Sequence, residues 1–272
     1  MIVPSPGRHH PVVHAGWQRD RRWWGRSKAP DFTPSLGDLV VGGMVSPEVA
    51  QVLRGLIARR TPLTVISRDS RVGKTTLLTA LLSELPPPVV PVVLRGCYEP
   101  FDFVGDPARF PAETALLINE ISPHWPFYLW GPAVAKALRL NRRGYALYST
   151  AHAESPAELI AMLAQEPLRV PMRDIASLGM IVVLDALTDP TDPTGMQRGV
   201  RSCHGLAMAA DGRGIEQFDV ACTGQAGETV LCPAEWMAWE ERSRFRLPDQ
   251  GGATVSSDAS VAHRSVPACR KE

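Results

Sequence analysis

The chain has no cysteine pair in a C-x-x-C spacing, no long apolar run, almost no net charge and no internal repeat. Its five cysteines, Cys97, Cys203, Cys222, Cys232 and Cys269, are odd in number and scattered. That argues against a disulfide framework or a thiolate zinc site and for reduced thiols in a cytoplasm. No stretch approaches the roughly 20 apolar residues that a bilayer-crossing helix needs. The first thirty or so residues, rich in His, Arg, Pro and Trp, lack the apolar segment of a signal peptide. A net charge of +1 over 272 residues gives no whole-molecule field for a polyanion, so no direct nucleic-acid partner is expected.

What is present is enough apolar material, 44% of residues, for one large domain. Three zones follow from composition. Residues 1–35 form a basic arm in which Trp23 and Trp24 stand among Arg21, Arg22 and Arg26. The expectation is a loosely ordered arm lying on the domain, with a membrane surface or a partner as the alternative. Residues 248–272, rich in Gly, Ser, Asp and Ala, read as a disordered tail. Between them, residues 36–247 alternate helix and strand. Ser46-Pro47-Glu48 opens a helix with a cap, a proline at the first position and an acid in the first turn. Strands are expected at Leu63 to Ser67, Val89 to Leu94 (an edge, because of Pro91), Ala115 to Asn119, Tyr145 to Ser149 and Met180 to Asp185. Helices are expected at Thr76 to Glu84, Pro132 to Asn141 and from Ser155 to Ala164. Such alternation implies a mainly parallel sheet covered by helices, an α/β fold. Residues 200–240 lose the rhythm and read as short antiparallel strands, a small β-rich C-terminal extension closed by Pro233-Ala-Glu-Trp-Met-Ala-Trp.

One strand runs into a phosphate-binding pattern. Leu63-Thr-Val-Ile-Ser is followed by Arg68-Asp69-Ser70-Arg71-Val72-Gly73-Lys74-Thr75-Thr76 and then by a helix. A strand, a turn ending in Gly-Lys-Thr and a helix is the order of a nucleotide-binding P-loop. Lys74 can pair with β- and γ-phosphates, the Thr75 hydroxyl can hold Mg²⁺, and backbone N–H groups from Ser70 to Thr76 can face phosphate oxygens. The loop departs from G-x-x-x-x-G-K-[ST] at its first glycine, which is Arg68. Asp69 and Arg71 also stand where small residues would let the backbone wrap a phosphate more closely.

Two acids end apolar strands. Ala115-Leu-Leu-Ile-Asn119-Glu120 delivers Glu120 at a C-terminal strand end, the ligand edge of an open α/β sheet. There it could orient an attacking water or help hold Mg²⁺. Met180-Ile-Val-Val-Leu-Asp185 has the same pattern, and the pattern alone does not separate the two; Asp185 precedes a turn-like stretch and is the second choice. His152, in Ser149-Thr-Ala-His152-Ala-Glu-Ser, follows a strand just before a capped helix. An imidazole there could sense or stabilise a γ-phosphate.

Taken in order, Gly73-Lys74-Thr75, Leu117-Ile-Asn-Glu120-Ile and Ser149-Thr-Ala-His152-Ala-Glu-Ser resemble the motor ATPases of the type II/type IV secretion and pilus-assembly superfamily. The resemblance spans roughly residues 36–240. It implies a RecA-like P-loop NTPase domain that binds ATP and Mg²⁺ through Ser70, Arg71, Val72, Gly73, Lys74, Thr75 and Thr76. It makes Glu120 and His152 catalytic and gives Mg²⁺ to Thr75 and Glu120. It further implies a homo-oligomeric ring, inner-membrane secretion or pilus platform proteins as partners, and a cytoplasmic location that extends to the inner face of the membrane. Two other readings explain part of the pattern. One is a non-hydrolysing structural or adaptor relative with the same fold. The other is a P-loop kinase of another class.

Overall fold

A computed structural model describes residue 17 and residues 21–24, 33–188, 196–223 and 229–243. Eight strands belong to one sheet: β1 (Leu63–Ser67), β2 (Val90–Val93), β3 (Thr114–Ile121), β4 (Ala146–His152), β5 (Met180–Thr188), β6 (Met196–Met208), β7 (Ile215–Thr223) and β8 (Thr229–Leu231). Their order across the sheet is β2-β3-β4-β1-β5-β6-β7-β8. The first five run parallel, and from β5 onward every pairing is antiparallel. The fold is therefore mixed α/β, with a mostly parallel half and an antiparallel C-terminal half. β2, which carries Pro91, lies at the edge, where a missing N–H costs least.

The parallel strands are apolar on both faces, as strands with helices above and below must be. One face, with Leu63, Val65, Leu117, Tyr148 and Val182, packs under α3 (Pro47–Ala58) and α4 (Lys74–Leu82). The other, with Ile66, Leu116, Ile118, Leu147 and Ile181, packs under α5 (Pro132–Arg142) and α6 (Pro156–Ala164). Local chemistry sets the helix starts. The Ser46 hydroxyl accepts from Val49 N at 3.3 Å ahead of α3, and the Ser155 hydroxyl accepts from Glu158 N at 3.2 Å ahead of α6.

The chain leaves β1 over the α4 face toward β2, and leaves β4 over the α6 face toward β5. Reversing direction while changing face keeps one crossover hand. It also parts the two connections at the C-terminal ends of β1 and β4, where such sheets have their crevice.

Two regions differ from the sequence reading. The C-terminal strands are antiparallel, as expected, but not all short: β6 has 13 residues and β7 has 9, and both continue the main sheet. Register shifts at Val183/Leu184 and Cys203/His204 change which residues face inward, so the two-residue period is broken in the sequence. α8 (Pro233–Arg242) packs back on this half. Trp239 is buried and donates from Nε1 to Leu206 O at 3.2 Å. Gly205 makes room for it, since a Cβ there would lie 2.4 Å from the Trp239 ring.

The second difference concerns the tryptophans of the arm. In α1 (Arg21–Trp24), Trp23 is 0% exposed and Trp24 is 9% exposed. Their rings belong to the core and are not available to a membrane or a partner. Trp17 meets Trp23 edge to face at 5.4 Å between ring centroids. The other residues of 1–20, and the expected tail at 248–272, lie outside the described residues.

Candidate functional site

The loop between β1 and α4 is held by its own backbone. Ser67 Oγ accepts from Asp69 N at 3.1 Å, and Val72 is buried. Arg71 has φ +64°, a left-handed conformation unusual for a side chain of that size, and Gly73 has φ +100°. Arg71 is thus at the place where the turn favours glycine. Gly73 is the N-cap of α4 and offers the first turn no side-chain acceptor. That leaves the helix start in the form that presents backbone N–H groups to an anion. Ser70 and Arg71 are exposed, and Thr75 and Thr76 are half-buried.

Lys74 is only 6% exposed. Its Nζ donates to Asp69 O at 3.2 Å and lies 3.5 Å from His152 Nδ1. Burial pushes the Lys74 ammonium below its ordinary range, and the negative charges of Glu120 and Asp69 partly oppose that shift. A cation held this way gains from any further anion placed beside it.

Glu120 reaches the same place from two strands away. The β3–β4 register shifts between Ile118 and Ile121, so Asn119 and Glu120 form an irregularity that re-aims the strand end. Asn119 O accepts from the Thr150 hydroxyl at 2.6 Å. Glu120 Oε2 lies 3.4 Å from His152 Nε2. Its Oε1 is buried with no hydrogen-bond partner in the protein. A buried carboxylate oxygen in that state marks a point where a donor belongs.

His152, the last residue of β4, therefore stands between Lys74 and Glu120, one on each ring nitrogen. β4 lies between β1 and β3 in the sheet, which is why three residues far apart in sequence meet at one edge. Asp185, expected to end its strand, lies inside β5, which runs on to Thr188, and is ion-paired: its Oδ2 lies 3.2 Å from Arg201 Nη1. Arg68 pairs with Glu154 at 3.4 Å, an exposed contact that links the loop to the segment after His152.

Sequence reasoning missed two contributors. His124 sits edge-on to His152 with 6.2 Å between centroids, and its Nδ1 is 2.9 Å from Ser122 Oγ. Its position just beyond Glu120 was the available signal. Trp23 donates from Nε1 to Thr79 Oγ1 at 2.8 Å, and its carbonyl accepts from Asn119 Nδ2. It thereby clamps the lysine-bearing helix to the glutamate-bearing strand, which no local pattern announces.

The sequence matches no family model and no curated protein. Among solved structures the chain is similar to the VirB11 ATPase from the Brucella suis type IV secretion system, determined in complex with sulphate. The identity is 17%, the TM-score is 0.38, and the match covers 74% of this chain and 66% of that one, just under two thirds of its length.

Proposed function

We propose that this chain binds ATP with Mg²⁺ at the C-terminal ends of β1, β3 and β4 and hydrolyses it slowly, as a subunit of a type II/type IV secretion or pilus-assembly motor. The observation that carries the reading is the line Lys74–His152–Glu120, which ends in the orphaned Oε1. Lys74 and the first N–H groups of α4 hold the β- and γ-phosphates, and Arg71 adds an exposed cation beside them. Glu120 accepts a hydrogen bond from the attacking water and points it at phosphorus. His152 tells the Glu120 side whether a γ-phosphate has engaged Lys74, because it touches both. The donor set suits Mg²⁺: the Thr75 hydroxyl and the Glu120 carboxylate are hard oxygen ligands. When bound, the ion would neutralise charge on the phosphate oxygens.

The motor assignment rests on the order of the three motifs in the sequence, with a ring of identical chains and a membrane platform as its partners. Such a ring shares ATP between protomers, so self-association strengthens with ATP and Mg²⁺. A second reading has one observation in its favour. Lys74 Nζ is already hydrogen-bonded to Asp69 O within the loop, as in an adaptor that keeps the fold and uses the loop structurally. Phosphate release and light scattering, each with and without ATP and Mg²⁺, separate the two. A motor releases phosphate and assembles with nucleotide. An adaptor does neither.

A further inference from the structure

The antiparallel half of the sheet holds a thiol pair that plays no part in the site above. Cys222 on β7 and Cys232 just after β8 place their sulfurs 3.5 Å apart, ten positions apart in sequence. The ladder explains the meeting. Cys222 is paired with Val230, and Cys232 N donates to Val220 O at 2.8 Å. Residues two apart on a strand share a face, so both thiols stand on one side of the β7–β8 ribbon. A disulfide needs about 2.0 Å between sulfurs, so small side-chain rotations suffice to close it. Both residues are half-buried, open enough for a small reagent.

We infer that Cys222 and Cys232 form an intrachain disulfide by exchange with a low-molecular-weight disulfide, a modification site on the edge of the sheet. One cysteine thiolate attacks a sulfur of oxidised glutathione; that S–S bond breaks, and one glutathione thiolate leaves. The second cysteine gives its proton to solvent and attacks the protein-bound sulfur. The Cys222–Cys232 bond forms and the second glutathione thiolate leaves. Two protein thiols are oxidised by two electrons in all, and one glutathione disulfide is reduced to two thiols.

The other described cysteines are poorer candidates. Cys203 is 2% exposed, and burial pushes its thiol up to about 12. Cys97 is exposed and lies beyond β2, across the sheet. The new bond has a structural consequence. β8 carries Thr229, whose carbonyl accepts from the Ser46 hydroxyl that caps α3. Oxidation therefore ties down the strand on which the start of α3 leans.

The test uses the full chain, equilibrated with excess oxidised glutathione, then alkylated, digested and mapped by mass spectrometry. The expected result is one cross-linked species containing Cys222 and Cys232, two hydrogens lighter than its reduced parts and lost on treatment with a thiol reductant. Cys222→Ser should abolish that species and leave Cys232 alkylated or carrying glutathione. Recovery of both cysteines alkylated overturns the inference. So does recovery of each as a separate glutathione adduct, or of a bond to Cys97 or Cys203 in place of this one.

Discussion

His152 Nε2 lies 3.4 Å from Glu120 Oε2, while the opposite nitrogen of the same ring faces Lys74 Nζ at 3.5 Å. In the proposed function this contact sets the histidine between the cation that would hold phosphate and the acid that would position water. It also assigns separate effects to the two acidic positions of the sequence. Glu120→Gln should leave ATP binding within a few-fold of wild type and lower hydrolysis by about 10²-fold or more, the usual cost of losing a general base. Asp185→Asn, which alters the pair with Arg201 and the bond from Ala186 N, should leave turnover unchanged. Steady-state phosphate release on the two variants checks this. Equal losses in both would place the chemistry elsewhere.

Trp23 joins the two halves of the site through Thr79 and Asn119. Trp23→Ala removes a fully buried ring and its bond to Thr79, keeps the carbonyl that Asn119 meets, and should destabilise the protein by about 3–5 kcal/mol. Trp23→Phe keeps most of the volume but loses the bond to Thr79, and should cost roughly 1–2 kcal/mol. Urea unfolding measures both. A Trp23→Ala protein as stable as wild type would mean that the arm does not pack in solution as described.

Arg71 occupies the left-handed region at φ +64°. Glycine has no steric penalty there, while its greater freedom in the unfolded chain takes part of the gain away. Arg71→Gly should therefore stabilise the fold by about 0.5–1 kcal/mol. Arg71→Val should destabilise it, because a branched Cβ is the worst fit to that conformation. Opposite shifts of the denaturation midpoint are the expected readout, and shifts in the same direction would show that the loop relaxes away from this geometry.

Acid stability should depend on His204. Burial lowers its pKa below the ordinary 6.5; the hydrogen bond and charge of Asp219 oppose this, and Arg201 adds to it. The unfolded chain then takes up a proton near pH 6.5 that the folded chain still refuses, so stability falls as pH drops through that range toward the folded value. Relative to His204→Gln, wild type should lose stability between pH 7 and pH 5. Parallel stability curves for the two proteins would refute the assignment.

Much of the parallel half was legible in the sequence because its signals are local. Ser46-Pro47 and Ser155 cap the helices expected of them, and the runs at Leu63 and Ala115 are strands that begin within a residue of the expected positions. The antiparallel half was harder to read. One register shift breaks the inward pattern of β6 and another that of β7, and Gly205 stands where an apolar side chain would otherwise mark the core, because Trp239 fills that space from outside the sheet. The meeting of Lys74, His152 and Glu120 depends on strand order, which periodicity does not encode. Trp23 looked like part of a basic surface arm because its ring nitrogen meets Thr79 and its carbonyl meets Asn119, each more than fifty residues away.

The central claim is nucleotide binding at Lys74, and calorimetric titration of ATP with Mg²⁺ into wild type and Lys74→Ala tests it most directly. Wild type should bind measurably. Lys74→Ala should bind about 10- to 100-fold more weakly, the loss expected for one charge-assisted phosphate contact of ~1.5–3 kcal/mol. No heat from wild type at high ATP, or equal binding by the two proteins, would contradict the account.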